Sequence, residues 1–345
     1  MPWLFQKVGL HRFQTKRRLK QYVDETSRRS LRDLDSHHVP TVWKLLVIGL
    51  AYFVVMFFGH LPDHLILFPT RAPIDAGAAV RRTIPFENGD LEIWTAQSQS
   101  ARQNGRADVF ILRFYGNADR ADRWPAMEAE MWKDRAVEIW GMNYPGFGGS
   151  AGPARLARIG PAAVAAFDEL RRQAANKSAV ESAVPSGPMP SSVLRTAHTT
   201  APIVLFGTSI GATAALHLAA SRPTEIAGLI LQNPPPLREM ILRQFGWWNL
   251  WLLAGPVTLQ IPRDLDCIAN AKASRTPAAI FLLAEKDEIV APRFHRLVVQ
   301  AYAGEKRIIE LRGAHHNDPV DGTALADLND ALTWVLTKAS SPQPP

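Results

Sequence analysis

Cysteine is almost missing from this 345-residue chain, where Cys267 stands alone. An intrachain disulfide and a cysteine-rich metal site are thereby excluded, while either redox compartment suits a chain without disulfides. Also missing is an even spread of charge. The formal net charge is +7, yet much of the excess sits before residue 40, where Lys7, Arg12, Lys16, Arg17, Arg18, Lys20, Arg28, Arg29 and Arg32 are opposed only by Asp24, Glu25, Asp33 and Asp35. No nucleic-acid recognition module and no internal repeat accompanies these cations, so no nucleic-acid partner is expected. A basic cluster beside an apolar run suits anionic lipid headgroups instead. No metal and no cofactor is expected either.

The apolar run is LLVIGLAYFVVMFFG, residues 45–59, and it lacks any charge. A spanning helix needs roughly 17 to 25 residues, and here Trp43 and Lys44 suit one interface while HLPDHLILF continues at the other. A cleaved signal peptide has a short basic region, whereas residues 1–42 precede this run. We therefore expect a basic segment over 1–42 and an uncleaved signal anchor over 43–60, with a buried core helix as the alternative. The cations on the N-terminal flank keep residues 1–42 cytoplasmic and place the remainder on the opposite side, periplasmic, extracellular or lumenal. The lipid bilayer is thus an expected partner.

With 47% hydrophobic residues, the remaining chain has ample material for one large core. From about residue 80, short β-rich runs alternate with helical segments, the pattern of a mostly parallel sheet covered by helices on both faces. RRTIPF and LEIWTA around ENGD predict a hairpin with an Asn-Gly turn. Buried strands are predicted in 108–116, 136–144, 202–207, 227–234, 277–287 and 306–313. Helices are predicted over 122–132, from Pro161 onward, over 210–220, after 291, and over 323–338. Residues 176–200, rich in Ser, Pro, Ala and Thr, predict a flexible surface insertion, and 339–345 a disordered tail. Residues 237–262 are apolar, hold Trp247, Trp248 and Trp251, and predict a small cap over the C-terminal edge of the sheet. On a helix Trp247 and Trp251 share a face, suited to binding an acyl substrate or to the bilayer interface; ordinary core packing is the alternative.

Inside VLFGTSIGATAALHLAA, Gly207, Thr208, Ser209, Ile210 and Gly211 spell G-x-S-x-G between a predicted strand and a predicted helix. A serine on a strained strand-to-helix turn needs small neighbours, because the backbone passes close to adjacent elements. The helix that follows directs N–H groups at a developing oxyanion, and the N–H of Ile210 is the first such donor. Serine alone is a poor nucleophile, so a base must take its proton and a carboxylate must orient the base. In chains of this pattern the partners follow in the order serine, acid, histidine at the ends of later strands. FLLAEKDEIVAP supplies Asp287 at a strand end, with Glu285 and Glu288 as rivals, and IIELRGAHHNDPV supplies His315 and His316. The bare chemistry does not separate the two histidines.

These pieces, taken with LFPT, FYGNADR, NYPGFGGS, AEKDEIVAP and GAHHNDP in that order, make residues 65–338 resemble an α/β-hydrolase. Within that superfamily the chain is similar to membrane-anchored serine hydrolases such as protein depalmitoylases and lysophospholipid lipases. The resemblance implies His316, directly before Asn317 and Asp318, as the base, and the backbone N–H of Asn117 as the second oxyanion donor. Tyr115 stands where such enzymes carry histidine before Gly-Asn. The expected function is hydrolysis of a carboxylic ester or thioester, with a lipid or acyl substrate favoured, by Ser209, His316 and Asp287 through an acyl-enzyme. The alternatives are a serine peptidase of the aminopeptidase-like type and a catalytically silent binding protein.

Overall fold

The computed structural model describes residues 41–58, 60–132, 134–183 and 201–340. The expected basic segment up to residue 40, part of the expected insertion (184–200) and the tail residues 341–345 lie outside the described residues. Two units divide the chain after Phe58. The first contains helix α1 (Thr41–Phe58), in which Leu45, Leu46, Val47 and Ile48 are each more than half exposed. Among the described residues it is the one helix long and apolar enough to cross a membrane.

The second unit opens with α2 (Leu61–Ile66) and then the antiparallel hairpin β1 (Val80–Phe86) and β2 (Gly89–Gln97). Its two-residue loop is Glu87 and Asn88, with Glu87 at φ 50°, so the expected Asn-Gly turn is displaced by one residue. Gly89 answers to space instead: a Cβ there would lie 2.4 Å from the Cβ of Ala151. After α3 (Gln99–Asn104) come β3 (Val109–Phe114), α4 (Pro125–Met131), β4 (Val137–Met142) and the long α5 (Leu156–Ala183). Next follow β5 (Ile203–Thr208), α6 (Ile210–Ser221), β6 (Gly228–Gln232), α7 (Leu237–Phe245), α8 (Ala254–Leu259) and α9 (Cys267–Ala273). The chain closes with β7 (Ala278–Ala284), α10 (Pro292–Ala301), β8 (Glu305–Leu311) and α11 (Gly322–Ser340).

The strands form one eight-stranded sheet in the order β1-β2-β4-β3-β5-β6-β7-β8, parallel from β4 onward. The apolar runs of β3 to β7 follow from this position, because a central parallel strand is covered on both faces and alternate side chains need two cores. Phe110, Leu112, Leu205, Leu229 and Phe281 enter the core beneath α5 and α6. Ile111, Val204, Ile230 and Ile280 enter the opposite one, against Leu328, Leu332 and Val335 of α11.

Two sequence expectations change here. Helix α5 begins at Leu156 and not at Pro161, and it runs to Ala183, so residues 176–183 of the expected irregular insertion are helical. Its start is supplied from far away in the chain, where the Asp63 carboxylate of α2 accepts the Leu156 N–H at 2.8 Å and supplies the cap that local residues do not. In the segment expected as a cap, residues 246–253 are turns, with Leu250 and Trp251 at φ 50° and 61°. Trp247 and Trp251 therefore do not share a helix face. The Trp251 indole lies against Gly246, where a Cβ would come within 2.0 Å of its ring, and this contact has no signature in helical periodicity.

Candidate active site

Ser209 sits between β5 and α6 at φ 52°, ψ −124°, a conformation costing a non-glycine residue on the order of 1–3 kcal/mol. Its N–H is held by the Gln232 carbonyl at 2.8 Å. The turn is close-packed on both sides: a Cβ on Gly207 would lie 2.4 Å from the Gly211 oxygen, and one on Gly211 2.1 Å from the Phe114 oxygen. Both glycines of the motif therefore have a steric cause.

The loop after β3 reaches the same place, since a Cβ on Gly116 would stand 3.6 Å from the Cβ of Ser209. Asn117 is anchored by its side chain. Its Oδ1 accepts the N–H groups of Phe68 (2.9 Å) and Ala118 (3.0 Å), and its Nδ2 donates to the Ile66 carbonyl. The LFPT and FYGNADR segments thus brace one another. Tyr115 is buried, donates its hydroxyl to Glu128 at 3.0 Å, and accepts the Tyr144 hydroxyl on its carbonyl at 2.9 Å. Among the described residues, the backbone N–H groups of Asn117 and Ile210 have no backbone acceptor.

Asp287 follows β7. Its Oδ1 accepts the N–H groups of Ile289 (2.9 Å) and Val290 (2.7 Å), and its Oδ2 lies 2.6 Å from His316 Nδ1. Both side chains are buried. Burial alone would raise the Asp287 carboxyl, but contacts from His295, His316 and the Val290 N–H outweigh it and hold the pKa well below the usual carboxylate range. His315 goes elsewhere: its Nδ1 meets Glu288 at 3.1 Å, with both partners more than half exposed. Glu285 accepts the Gly313 N–H at 2.7 Å. The three carboxylates and two histidines that the sequence left in competition are thereby sorted by distance and burial.

Two polar residues of this region escape sequence reasoning. Asn233, buried at the end of β6 with φ 49°, accepts the Ala284 N–H at 2.9 Å and donates to the His316 carbonyl at 2.9 Å, so one side chain ties β7 to the histidine loop. His295 of α10 is fully buried with Nε2 3.2 Å from Asp287 Oδ2. The available signals are an amide closing an apolar strand and a histidine on the apolar face of a helix.

A cavity of about 370 Å³ is lined by residues that include Gly116, Asn117, Thr208, His316, Trp124 and Met127, with Thr208 directly before Ser209. Trp247 and Trp251, expected to bind substrate, are not among its lining residues; they are 73% and 56% exposed. Among the described residues, no group of three or more His, Cys, Asp or Glu side chains has metal-binding geometry.

No family model matches the chain. The uncharacterized protein Rv2307c of Mycobacterium tuberculosis is 28% identical over 311 residues, covering 86% of this chain and 94% of the relative. Among solved structures, Est1E from Butyrivibrio proteoclasticus superposes with a TM-score of 0.52 at 12% identity, over 76% of this chain and 99% of that one. The Pyrococcus furiosus esterase PF2001 gives 0.52 at 13%, over 79% and 98%. Pyrococcus horikoshii acylaminoacyl peptidase gives 0.50 at 11%, over 77% of this chain and 42% of that one. What is shared at such identities is the architecture: the described residues of the second unit have the α/β-hydrolase fold, with Ser209, Asp287 and His316 following β5, β7 and β8.

Proposed function

We propose that this protein is a membrane-tethered serine hydrolase that cleaves a carboxylic ester or thioester through an acyl-enzyme. The observation that carries the reading is the buried 2.6 Å contact between Asp287 and His316, on a loop that lines the same cavity as Asn117 and Thr208. In this reading Ser209 Oγ bonds the acyl carbon as His316 Nε2 takes its proton, and the N–H groups of Asn117 and Ile210 receive the oxyanion. Collapse breaks the bond to the alcohol or thiol, which leaves with the proton from His316. Water then repeats the sequence and releases the carboxylic acid. Asp287 keeps Nδ1 protonated, so that Nε2 is the basic nitrogen throughout. A fluorophosphonate probe is expected to form one covalent adduct, on Ser209. Recovery of the adduct on another residue, or no adduct on folded protein, would refute the assignment.

The tether is α1, with residues 1–42 on the cytoplasmic side and the hydrolase domain on the other. A lipid or acyl substrate fits the exposed apolar tip of the cap, where Trp247, Trp248, Leu250, Trp251 and Leu252 are all more than half exposed; indole rings favour the bilayer interface. Replacing Trp247 and Trp251 together by alanine is expected to lower kcat/KM for a long-chain ester about tenfold more than for the acetate ester. That ratio corresponds to lost contact with about two methylenes at ~0.8 kcal/mol each. Equal losses for the two esters would remove the cap from substrate handling.

A further inference from the structure

His295 is a buried imidazole with no place in the mechanism above. It lies on α10, whose buried face is otherwise Phe294, Val298 and Val299, and it is fully enclosed. Its Nε2 approaches Asp287 Oδ2 to 3.2 Å, close enough for an ion pair, but it is not aligned as a hydrogen bond, and Nδ1 has no polar partner. The oxygen it approaches is the one already held by His316 Nδ1 at 2.6 Å, while Oδ1 is occupied by two backbone N–H groups. One carboxylate oxygen therefore stands between two imidazoles.

We propose that His295 is a positioning residue that stays neutral, directs its Nε2–H toward Asp287 Oδ2, and so moderates how strongly that carboxylate supports the imidazolium form of His316. This inference rests on the serine-hydrolase reading for its consequence in turnover, though the coupling of the three side chains exists without it. Neutrality follows from two physical facts. A cationic His295 would bury a charged Nδ1–H without an acceptor, which costs more than an unpaired lone pair. It would also place a second positive charge across Asp287 from His316, opposing the imidazolium that forms when Ser209 loses its proton.

The surroundings leave Asp287 as the dominant charge. The elements packed against α10 include α9 and β7; β7 has no titratable side chain, and α9 contributes the buried Cys267 thiol, whose pKa burial pushes up, and the exposed Lys272. Around His316 the remaining groups are Glu288, paired with His315, Asp318, which accepts the His315 N–H at 2.8 Å, and Asp119, Arg123 and the Arg113–Glu128 ion pair around the cavity. A polar contact from His295 at 3.2 Å, even without hydrogen-bond alignment, draws on the charge of Asp287 Oδ2. Its removal concentrates that charge on His316 and stabilises the imidazolium, raising the pKa of His316.

The test uses the full chain in detergent micelles with 15N-labelled histidine, read by nuclear magnetic resonance. In the unaltered protein His295 is expected to show the Nε2–H tautomer. His295→Leu should raise the pKa of His316 by about half a unit or more, and the acidic limb of kcat/KM should move upward with it. His295→Gln, which keeps an N–H donor, should hold the pKa of His316 closer to its original value. An Nδ1–H tautomer, or equal His316 values in the unaltered and His295→Leu proteins, would overturn the proposal. The tautomer measurement needs no substitution, so it decides even where His295→Leu does not fold. A shifted His316 without any esterase activity would separate this coupling from a failure of the hydrolase assignment.

Discussion

Ser209→Ala is expected to lower kcat for a short p-nitrophenyl ester by about 10⁴-fold or more, the scale seen when a nucleophile is removed from a working triad. Thermal stability should change little. Alanine keeps the Cβ and meets the same left-handed φ, while the contacts that define the turn belong to Gly207, Gly211 and the Ser209 N–H held by Gln232. Activity near that of the unaltered protein would make Ser209 a turn residue only. An unfolded variant would instead show that its hydroxyl is structural, and circular dichroism with a melting curve distinguishes these outcomes.

The second large effect separates neighbouring histidines. His316→Ala should lose about 10³- to 10⁴-fold in kcat/KM, because in the proposed mechanism His316 is the base that Asp287 orients. His315→Ala should stay within about threefold, since its partner Glu288 is exposed and such pairs contribute little. Acid unfolding should discriminate as well. The folded pKa of Asp287 is depressed, so its interactions add stability above the unfolded carboxylate pKa of about 3.9, and that stability is lost as pH falls through the folded value. Removing His316 weakens this term and should move acid unfolding to higher pH, whereas removing His315 should leave it in place. Reversed kinetic results would transfer the role to His315.

How much of this was open to sequence reading depends on the range of the interaction involved. The strands from β3 to β7 announce themselves because full burial demands near-continuous apolar runs, broken by the charged Arg113 and Glu138, and the elbow does so because a close backbone crossing admits only glycine at residues 207 and 211. Helix α1 needs only length and the absence of charge. In each case the requirement is written into residues close together in sequence, although the atom that excludes a side chain at Gly211 is the Phe114 carbonyl of β3. The hairpin turn was misplaced by one residue because Gly89 serves the contact with Ala151, a residue from another part of the chain. The start of α5 was misplaced because its cap, Asp63, is supplied 93 positions away.

The sequence by itself therefore determined the alternation of strands and helices, the position of the strained serine, and the set of groups from which acid and base are drawn. Which of these groups meet was decided only by tertiary structure. Asp287 and His316 are adjacent because parallel β7 and β8 deliver their loops to one edge, with Asn233 from β6 tying the histidine loop to β7. His315, one residue away, faces outward to Glu288. The same folding placed His295 behind Asp287 and put the Trp247–Trp251 segment into turns. Contacts of this kind depend on the register and direction of elements brought together from distant parts of the chain, and local periodicity carries no record of either.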